Sequence, residues 1–512
     1  MPTRRTDLFS ATPLAEGWGG ADNKGVYFSM SKSFVCFLSG LLTLLTSCTQ
    51  NGAGTAAECG PAVPEAYTIR HPAWASNASI YEVNIRQYTP EGTFQAFEAH
   101  LPRLQEMGVG ILWLMPVQPI GQLKRKGTLG SPYSIQDYRA VNPEFGSMTD
   151  LRHLVDEAHK RGMHVILDWV ANHTSWDSRL SQEHPEWFTK TKQGNFRPPV
   201  ADWQDVIDLD YSKPDLRRYM TESMVFWLRE AGFDGFRCDV AGLVPTDFWN
   251  DTRQQLEKVK PVFMLAEWDE LYPPTFISKQ EFDPNTKLLE KAFDMTYGLR
   301  HHTLLDSIGK GQKTTAHLDN YLADERRRYP AQVYLMNFTS SHDVNTWDGT
   351  EYERLGKNAL PFAVLTALLP GMPMVYSGQE AALRKRLRFF DKDTIAWSDY
   401  PLQEFYTKLL QLKKTHPALR NGDPCSEFGR LPANASTATY AFVRRKDDAE
   451  VLVALNLDNK PHELVMRELE SGNFRELFTE QSVRLGSTSK MLLTPHSYRV
   501  YERLPEQQKS WF

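Results

Sequence analysis

Cysteine is scarce in this chain of 512 residues, which contains five. Two of them, Cys36 and Cys48, fall in an N-terminal apolar segment. The other three, Cys59, Cys238 and Cys425, form an odd set without CxxC spacing. Such a set indicates neither a disulfide framework nor a cysteine-ligated zinc site.

An excess of charge of one sign is also missing. The chain carries 58 Lys and Arg against 63 Asp and Glu, a net charge of −5, and the two signs are interspersed. This balance gives no reason to expect a nucleic acid as a partner. No internal repeat is present, and the length suffices for one large domain and a smaller one.

The N-terminus lacks an apolar run long enough to span a bilayer. The stretch MSKSFVCFLSGLLTLLTSC, residues 30–48, has a lysine, a short apolar run and small residues, which is typical of a signal peptide. Its last four residues, LTSC, resemble a bacterial lipobox, in which the cysteine is lipidated and becomes the mature N-terminus. We therefore expect residues 1–48 to be an upstream extension plus a lipoprotein signal peptide, with Met30 as the true start. An ordinary cleaved signal peptide, with Cys48 incidental, is the alternative.

Lipid on Cys48 would make the membrane a partner and the bacterial cell envelope the location. Residues 49–77 follow the lipobox and are rich in small residues, Gly and Pro. This composition predicts a flexible tether between the anchor and the folded part of the chain.

Between residues 78 and 420, short apolar runs alternate with amphipathic stretches, one of which opens with a Ser147–Asp150 capping pattern. The eight runs are SIYEVNIRQY, GILWLMP, MHVILD, FDGFRCD, VFMLAE, AFDMTY, QVYLMNF and MPMVYSG. This order is expected of a parallel (β/α)8 or TIM barrel, an α/β fold whose active site lies at the C-terminal ends of its strands. Residues 174–210 are too long for a simple loop and predict a short inserted domain after the third strand.

Beyond Pro417 the pattern changes to strands that are separated by turn residues. Examples are TATYAFVRR, EVLVALNL, HELVM and YRVYERL, with no helical stretch among them. Residues 421–512 therefore predict a C-terminal antiparallel β-domain.

Two charged residues stand in a stretch that otherwise has the pattern of a buried strand. Arg237 and Asp239 are two residues apart, so in a strand they lie side by side on one face. Because burying a charge is costly unless it is paired, the pattern fits either a structural ion pair or a carboxylate held at a functional site.

Further acids decide between these interpretations. Asp168 and Glu267 close strands of their own, and His342 and Asp343 follow another strand. Four carboxylates that converge on one rim would repel one another severely unless function required them. We therefore predict a catalytic site at this rim.

The same residues belong to motifs that resemble those of a known family. DWVANH at 168–173, GFRCDV at 235–240, AE at 266–267 and SSHD at 340–343 are similar to the four ordered motifs of glycoside hydrolase family 13, the α-amylase family. SPYSIQDY, VIDLD and PGMPMVYSGQE fit its supporting motifs, and the resemblance runs from about Ile80 to the end of the chain.

The resemblance implies a role for each matched residue. Asp239 resembles the nucleophile, Glu267 the general acid/base and Asp343 the transition-state stabiliser. Arg237 would keep Asp239 ionised and aimed. The residues that resemble the family's sugar-binding residues are Tyr133, Asp168, His173 and His342.

The implied function is retaining, endo-acting hydrolysis of α-1,4-glucans such as starch or maltodextrins, by double displacement. Alternatives on the same scaffold are an α-glucosidase, a cyclomaltodextrinase or neopullulanase, and a transglycosylase. DVAG at 239–242 resembles cyclomaltodextrinases and neopullulanases, although we expect no room for their extra N-terminal β-domain between Cys48 and Ile80. A non-catalytic glucan-binding homologue is disfavoured because the three catalytic carboxylates and Arg237 are all present.

Departures from the family pattern concern specificity and metal binding. Ser341 stands where the family often has Asn, and VAGLVP at 240–245 replaces a Lys-His pair. In the family that Lys binds glucose on the leaving-group side, and the His supplies a calcium ligand. Asn172 and Asp210 match two other calcium ligands, so the resemblance implies a structural calcium site there. The alternative is that Asn172 only fixes a loop. No organic cofactor is implied.

Overall fold

The computed structural model describes residues 63–270, 282–432 and 437–505, which belong to one compact unit. The predicted signal peptide, the lipidation of Cys48 and residues 49–62 of the predicted tether lie outside these residues. Within the described ranges, no helix combines the length and the apolar character that crossing a membrane requires.

Strands and helices alternate over most of the chain and give way to strands at its end. The described strands are β1 (Ile80–Val83), β2 (Ile111–Leu114), β3 (His164–Trp169), β4 (His173–Ser175), β5 (Val206–Asp208), β6 (Gly235–Cys238), β7 (Phe263–Ala266), β8 (Met295–Tyr297), β9 (Tyr334–Asn337), β10 (Met372–Tyr376), β11 (Glu427–Leu431), β12 (Thr439–Lys446), β13 (Ala449–Asn456), β14 (His462–Val465), β15 (Gly472–Glu476), β16 (Ser482–Leu485), β17 (Lys490–Leu493) and β18 (Ser497–Arg503). The described α-helices are α1 (Ile85–Tyr88), α2 (Phe94–Glu98), α3 (Leu101–Met107), α4 (Met148–Lys160), α5 (Arg179–Glu183), α6 (Pro214–Glu230), α7 (Thr246–Glu257), α8 (Asn285–Lys291), α9 (Leu299–Gly309), α10 (Ala316–Arg328), α11 (Glu351–Leu355), α12 (Ala359–Leu368) and α13 (Gln403–Thr415).

Eight of the described strands form a closed parallel barrel in the order β1-β2-β3-β6-β7-β8-β9-β10, which confirms the predicted fold. Each of the eight apolar runs supplies one strand. The runs are mostly apolar because most of their residues are buried on both faces of the strands. Ile80 and Ile111 belong to the cluster inside the barrel, whereas their neighbours Tyr81 and Leu112 pack against the surrounding helices.

The helix α4 shows how a local signal determines an element. Ser147 accepts a hydrogen bond from the Asp150 N–H, and the Asp150 side chain accepts one from the Ser147 N–H, so the predicted capping box is confirmed. Leu151, Leu154 and Val155 are buried on one face of the helix. This helix leads directly into β3, the strand that carries Asp168.

The segment predicted to be an inserted domain begins and ends in an antiparallel ribbon. β4 pairs with β5, so that His173 lies opposite Asp208 and Ser175 lies opposite Val206. Helix α5 lies between the two strands along the chain. Because β4 begins shortly after the end of β3, the insert starts at the C-terminal rim of the barrel.

The C-terminal region is an antiparallel β-domain, as predicted. One sheet has the order β11-β12-β13-β18-β15-β16, and a second pairs β14 with β17. Val443, Leu452 and Phe474 are among the buried residues of its core. Arg444 attaches the domain to the barrel, because its Nη1 donates to the Leu368 carbonyl at the end of α12 over 3.2 Å.

The prediction that residues 49–77 form a flexible tether is wrong for residues 68–77. The Thr68 N–H donates to the Glu290 carbonyl over 2.8 Å, and His71 Nδ1 lies 2.8 Å from Asp294 Oδ1. Residues 73–77 form a 3-10 helix. Small residues and proline suit a tightly packed turn as well as a flexible linker, so composition alone could not distinguish the two.

The two cysteines in the described part of the chain differ. Cys238 is free and buried, whereas Cys425 is disulfide-bonded. The cysteine set, which indicates no disulfide framework by its number and spacing, therefore still includes a disulfide-bonded residue. Spacing along the chain does not report distance in space.

Candidate active site

The C-terminal ends of the barrel strands bring the predicted catalytic residues together. β6 pairs with β3 on one side and with β7 on the other, and Asp168 lies opposite Arg237 in this register. Asp239 directly follows β6 and Glu267 directly follows β7. The two carboxylates therefore emerge side by side at the rim.

Arg237 is fully buried and contacts three carboxylates. Its Nη1 lies 2.8 Å from Asp168 Oδ1 and 3.1 Å from Asp239 Oδ1, and its Nη2 lies 2.7 Å from Glu267 Oε1. Its Nε donates to the Tyr297 hydroxyl over 3.1 Å. The predicted pair of Arg237 and Asp239 is present, but it is part of a larger cluster with three acids to one arginine.

Two of the acids that contact Arg237, Asp168 and Asp239, have raised pKa values. Burial, reinforced by the Glu267 carboxylate, raises the pKa of Asp239 well above its ordinary value, although Arg237 acts in the opposite sense. Burial also raises the pKa of Asp168 to about 6, again against Arg237. Arg237 lowers the pKa of Asp239, as expected of a residue that favours the ionised carboxylate, but it does not offset the effects of burial and of Glu267.

A strained turn connects the predicted nucleophile to the predicted acid/base. Val240, directly after Asp239, has φ 37° and ψ 48°, in the left-handed region that a β-branched residue avoids. Such a conformation costs on the order of 1–3 kcal/mol and is found mostly where function requires it. Here it directs the Val240 N–H to Glu267 Oε2, 2.9 Å away.

The third predicted catalytic acid, Asp343, has a different environment. Its Oδ2 lies 3.2 Å from His342 Nε2, and its Oδ1 accepts a hydrogen bond from Trp347 Nε1 over 3.2 Å. Trp347 belongs to the π-helix Val344–Asp348, a rare element that recurs at functional sites. Burial acts to raise the pKa of Asp343, but His342 outweighs it and the pKa is lowered. Asp343 is therefore ionised at neutral pH, as the stabiliser of a developing positive charge must be.

Tyr133 and His342 form one wall of the site. The Tyr133 ring stacks on the His342 ring with centroids 5.5 Å apart and on Phe389 with centroids 6.2 Å apart. The Tyr133 hydroxyl lies 2.9 Å from Asp168 Oδ2 and 2.9 Å from His342 Nε2. The predicted aromatic platform is thus held at both its ring and its hydroxyl group.

His173 is brought to the other side of Asp239. Its Nε2 lies 4.0 Å from Asp239 Oδ2, and its ring centroid lies 5.3 Å from that of Trp203. Burial, with a smaller contribution from Lys126, lowers the pKa of His173 to about 3. The ring is therefore neutral at physiological pH and can both donate to and accept from sugar hydroxyl groups.

Sequence reasoning missed Glu82, which is fully buried in β1. Its carboxylate accepts hydrogen bonds from the His342 backbone N–H, over 3.3 Å, and from His342 Nδ1. A lone acid in an apolar strand is the same signal that singled out Asp239, so Glu82 could have been found. Trp113, whose Nε1 donates to Asp168 Oδ2 over 3.1 Å, carries no such signal, because aromatic residues are common in buried strands.

The predicted calcium ligands, Asn172 and Asp210, already have protein partners. Asp210 Oδ2 lies 3.4 Å from Lys213 Nζ, and Asn172 Nδ2 lies 3.3 Å from His173 Nδ1. The Asn172 carbonyl accepts from the Leu209 N–H over 3.2 Å. Since an ammonium group beside Asp210 opposes a divalent cation, this donor set fits calcium poorly.

Gly242 allows the Trp268 ring to pack closely beside the acid/base residue. A Cβ added to Gly242 would lie between 2.0 and 2.4 Å from three atoms of the Trp268 indole. Trp268 directly follows Glu267, and its ring occupies the space that a side chain at position 242 would need. The Lys-His pair of the family pattern is thus replaced by a contact between a glycine and a tryptophan.

Known proteins share both the barrel and its C-terminal domain. The family model of the α-amylase catalytic domain matches residues 50–422, and the model of the maltogenic amylase C-terminal domain matches residues 430–500. The chain belongs to the α-amylase family. It is an enzyme, a hydrolase that acts on α-glucans.

Relatives within the α-amylase family have several activities. A cyclomaltodextrinase from a Bacillus species is 26% identical over 454 residues, which are 77% of this chain and 75% of that protein. Neopullulanase 2 of Thermoactinomyces vulgaris is 26% identical over 486 residues, 84% of this chain and 77% of that protein. Alpha-amylase MalA of Haloarcula japonica is 26% identical over 410 residues, and the match spans only 57% of its length.

Solved structures of the α-amylase family match almost over their full length. An α-amylase from Lactobacillus plantarum has a TM-score of 0.75 and 31% identity, and the match covers 84% of this chain and 100% of that one. The maltogenic α-amylase AmyB from Thermotoga neapolitana has a TM-score of 0.73 and 28% identity, with 84% and 99% covered.

Proposed function

We propose that this enzyme cleaves α-1,4 bonds of maltodextrins with retention of the anomeric configuration. The observation that carries the proposal is that Asp239 and Glu267 lie on the two arms of one guanidinium, that of Arg237. Two carboxyl groups held in this way form a close pair. A pair on the order of 5 Å apart leaves no room for an attacking water in the first step, so the reaction proceeds by double displacement.

In the first half-reaction Glu267 donates its proton to the glycosidic oxygen while Asp239 attacks the anomeric carbon. The C–O bond to the leaving sugar breaks, and the ionised Asp343 stabilises the positive charge that develops on the ring. In the second half-reaction Glu267 takes a proton from a water molecule, whose oxygen attacks the anomeric carbon and releases Asp239. Tyr133, His173 and His342 hold the sugar at the cleaved unit.

Small cyclic or branched maltodextrins are the proposed substrates, in preference to long starch chains. The names of the cyclomaltodextrinase, neopullulanase and maltogenic amylase relatives support this proposal, as does the match to a maltogenic amylase C-terminal domain. The stretch VAGLVP at 240–245 supports it too, because it lacks the lysine that in the family binds glucose on the leaving-group side. Endo-acting α-amylase activity is the second candidate, favoured by the α-amylase from Lactobacillus plantarum.

Initial rates on β-cyclodextrin, maltotriose, pullulan and amylose distinguish these two candidates. We expect β-cyclodextrin to be cleaved at least about tenfold faster than amylose, and Asp239→Asn serves as the blank. Proton NMR of a fresh digest should show the α-anomer first, as retention requires. An initial β-anomer refutes double displacement, and a rapid fall in amylose chain length with intact β-cyclodextrin identifies an endo-amylase.

We also propose that the mature protein is anchored to the cell envelope through lipid on Cys48. The LTSC sequence supports this, and so does the disulfide at Cys425, because disulfides persist in oxidising compartments such as the periplasm. Wild type should fractionate with membranes and incorporate labelled palmitate, whereas Cys48→Ser should do neither. Identical fractionation of the two proteins contradicts the anchor.

A further inference from the structure

Glu82, in the first barrel strand β1, contacts the backbone and the imidazole of His342. Glu82 lies between Trp113 of β2 and Tyr376 of β10 in the barrel register and is fully buried. Its two carboxylate oxygens accept from the backbone N–H and from Nδ1 of His342. Glu82 thus fixes both the main chain and the ring of this residue.

The hydrogen on the other ring nitrogen can be assigned from donor and acceptor types. Asp168 Oδ2 lies 2.9 Å from the Tyr133 hydroxyl, and an ionised carboxylate only accepts, so Tyr133 donates to Asp168. The Tyr133 oxygen is then available as an acceptor for His342 Nε2, 2.9 Å away. Nε2 therefore carries a hydrogen. Nδ1 carries one as well, because it faces the carboxylate of Glu82.

The surroundings of the ring are consistent with a cation. Two carboxylates face it, Glu82 from β1 and Asp343 from its own segment. Besides Tyr133, the aromatic rings of Trp113 and Phe389 lie against it, with centroids 5.9 and 6.1 Å away, and the Asp168 carboxyl interacts with it electrostatically. Burial acts to lower the pKa of His342, but Asp343 and Glu82 outweigh it and the pKa is raised well above its ordinary value.

We propose that Glu82 is a positioning residue that keeps His342 a doubly protonated imidazolium, so that a fixed cation lies beside Asp343 and the sugar. An imidazolium only donates hydrogen bonds, so His342 binds sugar hydroxyl groups through their oxygens. The positive charge of His342 also keeps Asp343 ionised throughout the catalytic cycle. The catalytic assembly therefore extends to the first strand, 260 residues away from His342 along the chain.

The wild-type enzyme provides the first test. Labelling of histidine with 15N reports the protonation of each ring, and the His342 signals are those that disappear in His342→Gln. We expect both nitrogens of His342 to be protonated at about pH 7.5, above the ordinary histidine pKa of about 6.5. A neutral His342 ring at this pH overturns the proposal.

Variants separate positioning from stability. Glu82→Gln removes the charge and keeps the size of the side chain, whereas Glu82→Asp keeps the charge. The matched control is Glu380→Gln, which removes another fully buried carboxylate, one that is bonded to Arg103 over 2.9 Å and to Tyr81.

We expect Glu82→Gln to lower kcat at least about tenfold and to move the alkaline limb of the pH profile down by about one to two units. The reason is that loss of the anion lets burial lower the pKa of His342. Glu82→Asp should regain the wild-type limb with a reduced kcat, and Glu380→Gln should lower the Tm without moving the limb. Two outcomes would make Glu82 a structural residue only. One is an alkaline limb that is unchanged in Glu82→Gln, and the other is an alkaline limb of Glu82→Asp that is displaced as far as that of Glu82→Gln. If Glu82→Gln does not fold, the wild-type spectrum and the Glu82→Asp profile decide.

Discussion

The two ends of the barrel hold their buried acids in opposite ways. At the N-terminal end an acid has more than one basic partner: Asp294 lies 2.6 Å from Arg253 Nη1 and 2.8 Å from His71 Nδ1. At the C-terminal end, where the active site lies, Asp168, Asp239 and Glu267 share the single guanidinium of Arg237.

The pKa of Asp294 moves in the opposite direction from the pKa values of Asp168 and Asp239. Although burial acts to raise it, Arg253 and His71 lower the pKa of Asp294. Burial raises the pKa of Asp168 to about 6, and burial with Glu267 raises that of Asp239 well above its ordinary value. Buried acids of one barrel thus have two uses: fully paired acids stabilise the fold, and underpaired acids carry unfavourable interactions that the chemistry requires.

Removal of an acid at the C-terminal end should cause the largest loss of activity. Asp239→Asn and Glu267→Gln should each lower kcat by at least about 10³-fold, because each removes a group that acts on the reacting bond. Asp239→Asn should melt at or above the wild-type temperature, because it relieves a crowded set of buried charges. Initial rates and calorimetry measure both effects. Turnover by either variant within tenfold of wild type would sink the assigned roles.

Removal of an acid at the N-terminal end should cause the largest loss of stability. Asp294→Asn should cost about 3–5 kcal/mol, because it leaves Arg253, whose side chain is 2% exposed, with the 44% exposed Glu257 as its remaining acidic partner. The kcat of the folded variant should match that of wild type well below its Tm. Urea unfolding measures the cost, with Asp156→Asn on the exposed face of α4 as the control. A cost below about 1 kcal/mol would mean that the ion pairs of Asp294 do not stabilise the N-terminal end of the barrel.

Acid should stop catalysis before it unfolds the barrel. The raised pKa of Asp239 means that the nucleophile gains its proton as pH falls toward the ordinary aspartate value of about 3.9, so activity falls above that value. Asp294 has a lowered pKa, so its stabilisation is complete above about pH 3.9 and is lost only as pH falls further, through its folded value. In the acid range above about pH 3.9 the enzyme should therefore lose activity while it stays folded, with full recovery at neutral pH. Parallel loss of circular dichroism and activity would contradict this order.

A change in the contact between Gly242 and Trp268, at the C-terminal end of the barrel, should lower activity less than removal of a catalytic acid. Gly242→Ala places a methyl group against the indole beside Glu267, so kcat on cyclodextrin should fall by roughly 10- to 100-fold. Trp268→Ala in the same chain should restore part of the loss, which a double-mutant cycle measures as a coupling energy. Strict additivity of the two changes would exclude the contact as the cause.

Chelation should have the smallest effect. Because Lys213 already faces Asp210, EDTA should shift the Tm by less than about 2 °C and leave activity intact. Lys213→Met, which removes the ammonium group, should lower the Tm more than EDTA does. Immediate and complete loss of activity on adding EDTA, with the fold intact, would place a metal at the catalytic centre.

Elements with a strong local signal could be predicted from the sequence. The barrel strands are almost entirely buried on both faces, so each is visible as a mostly apolar run, and the cap of α4 is a contact between residues three apart. The strand β15 could not be predicted in this way. It exposes Asn473 and Arg475 and buries Gly472, Phe474 and Glu476, which leaves little apolar pattern to detect.

The same distinction applies to the active site. Arg237 and Asp239 could be paired because alternation along a strand places them on one face. The contact of Arg237 with Glu267 crosses to the next strand, and that of Glu82 with His342 joins residues 260 positions apart. Contacts of this kind depend on strand register and barrel closure, which no local pattern reports.

The ribbon of β4 and β5 has a consequence for protein engineering. Because Ser175 lies opposite Val206, the chain leaves and re-enters the barrel rim at neighbouring points. The residues between them therefore form a cassette that can be exchanged for a loop of another length, provided that Trp203, which packs against the ring of His173, is kept. A library of such cassettes would vary what reaches the cleft and leave the cluster around Arg237 untouched.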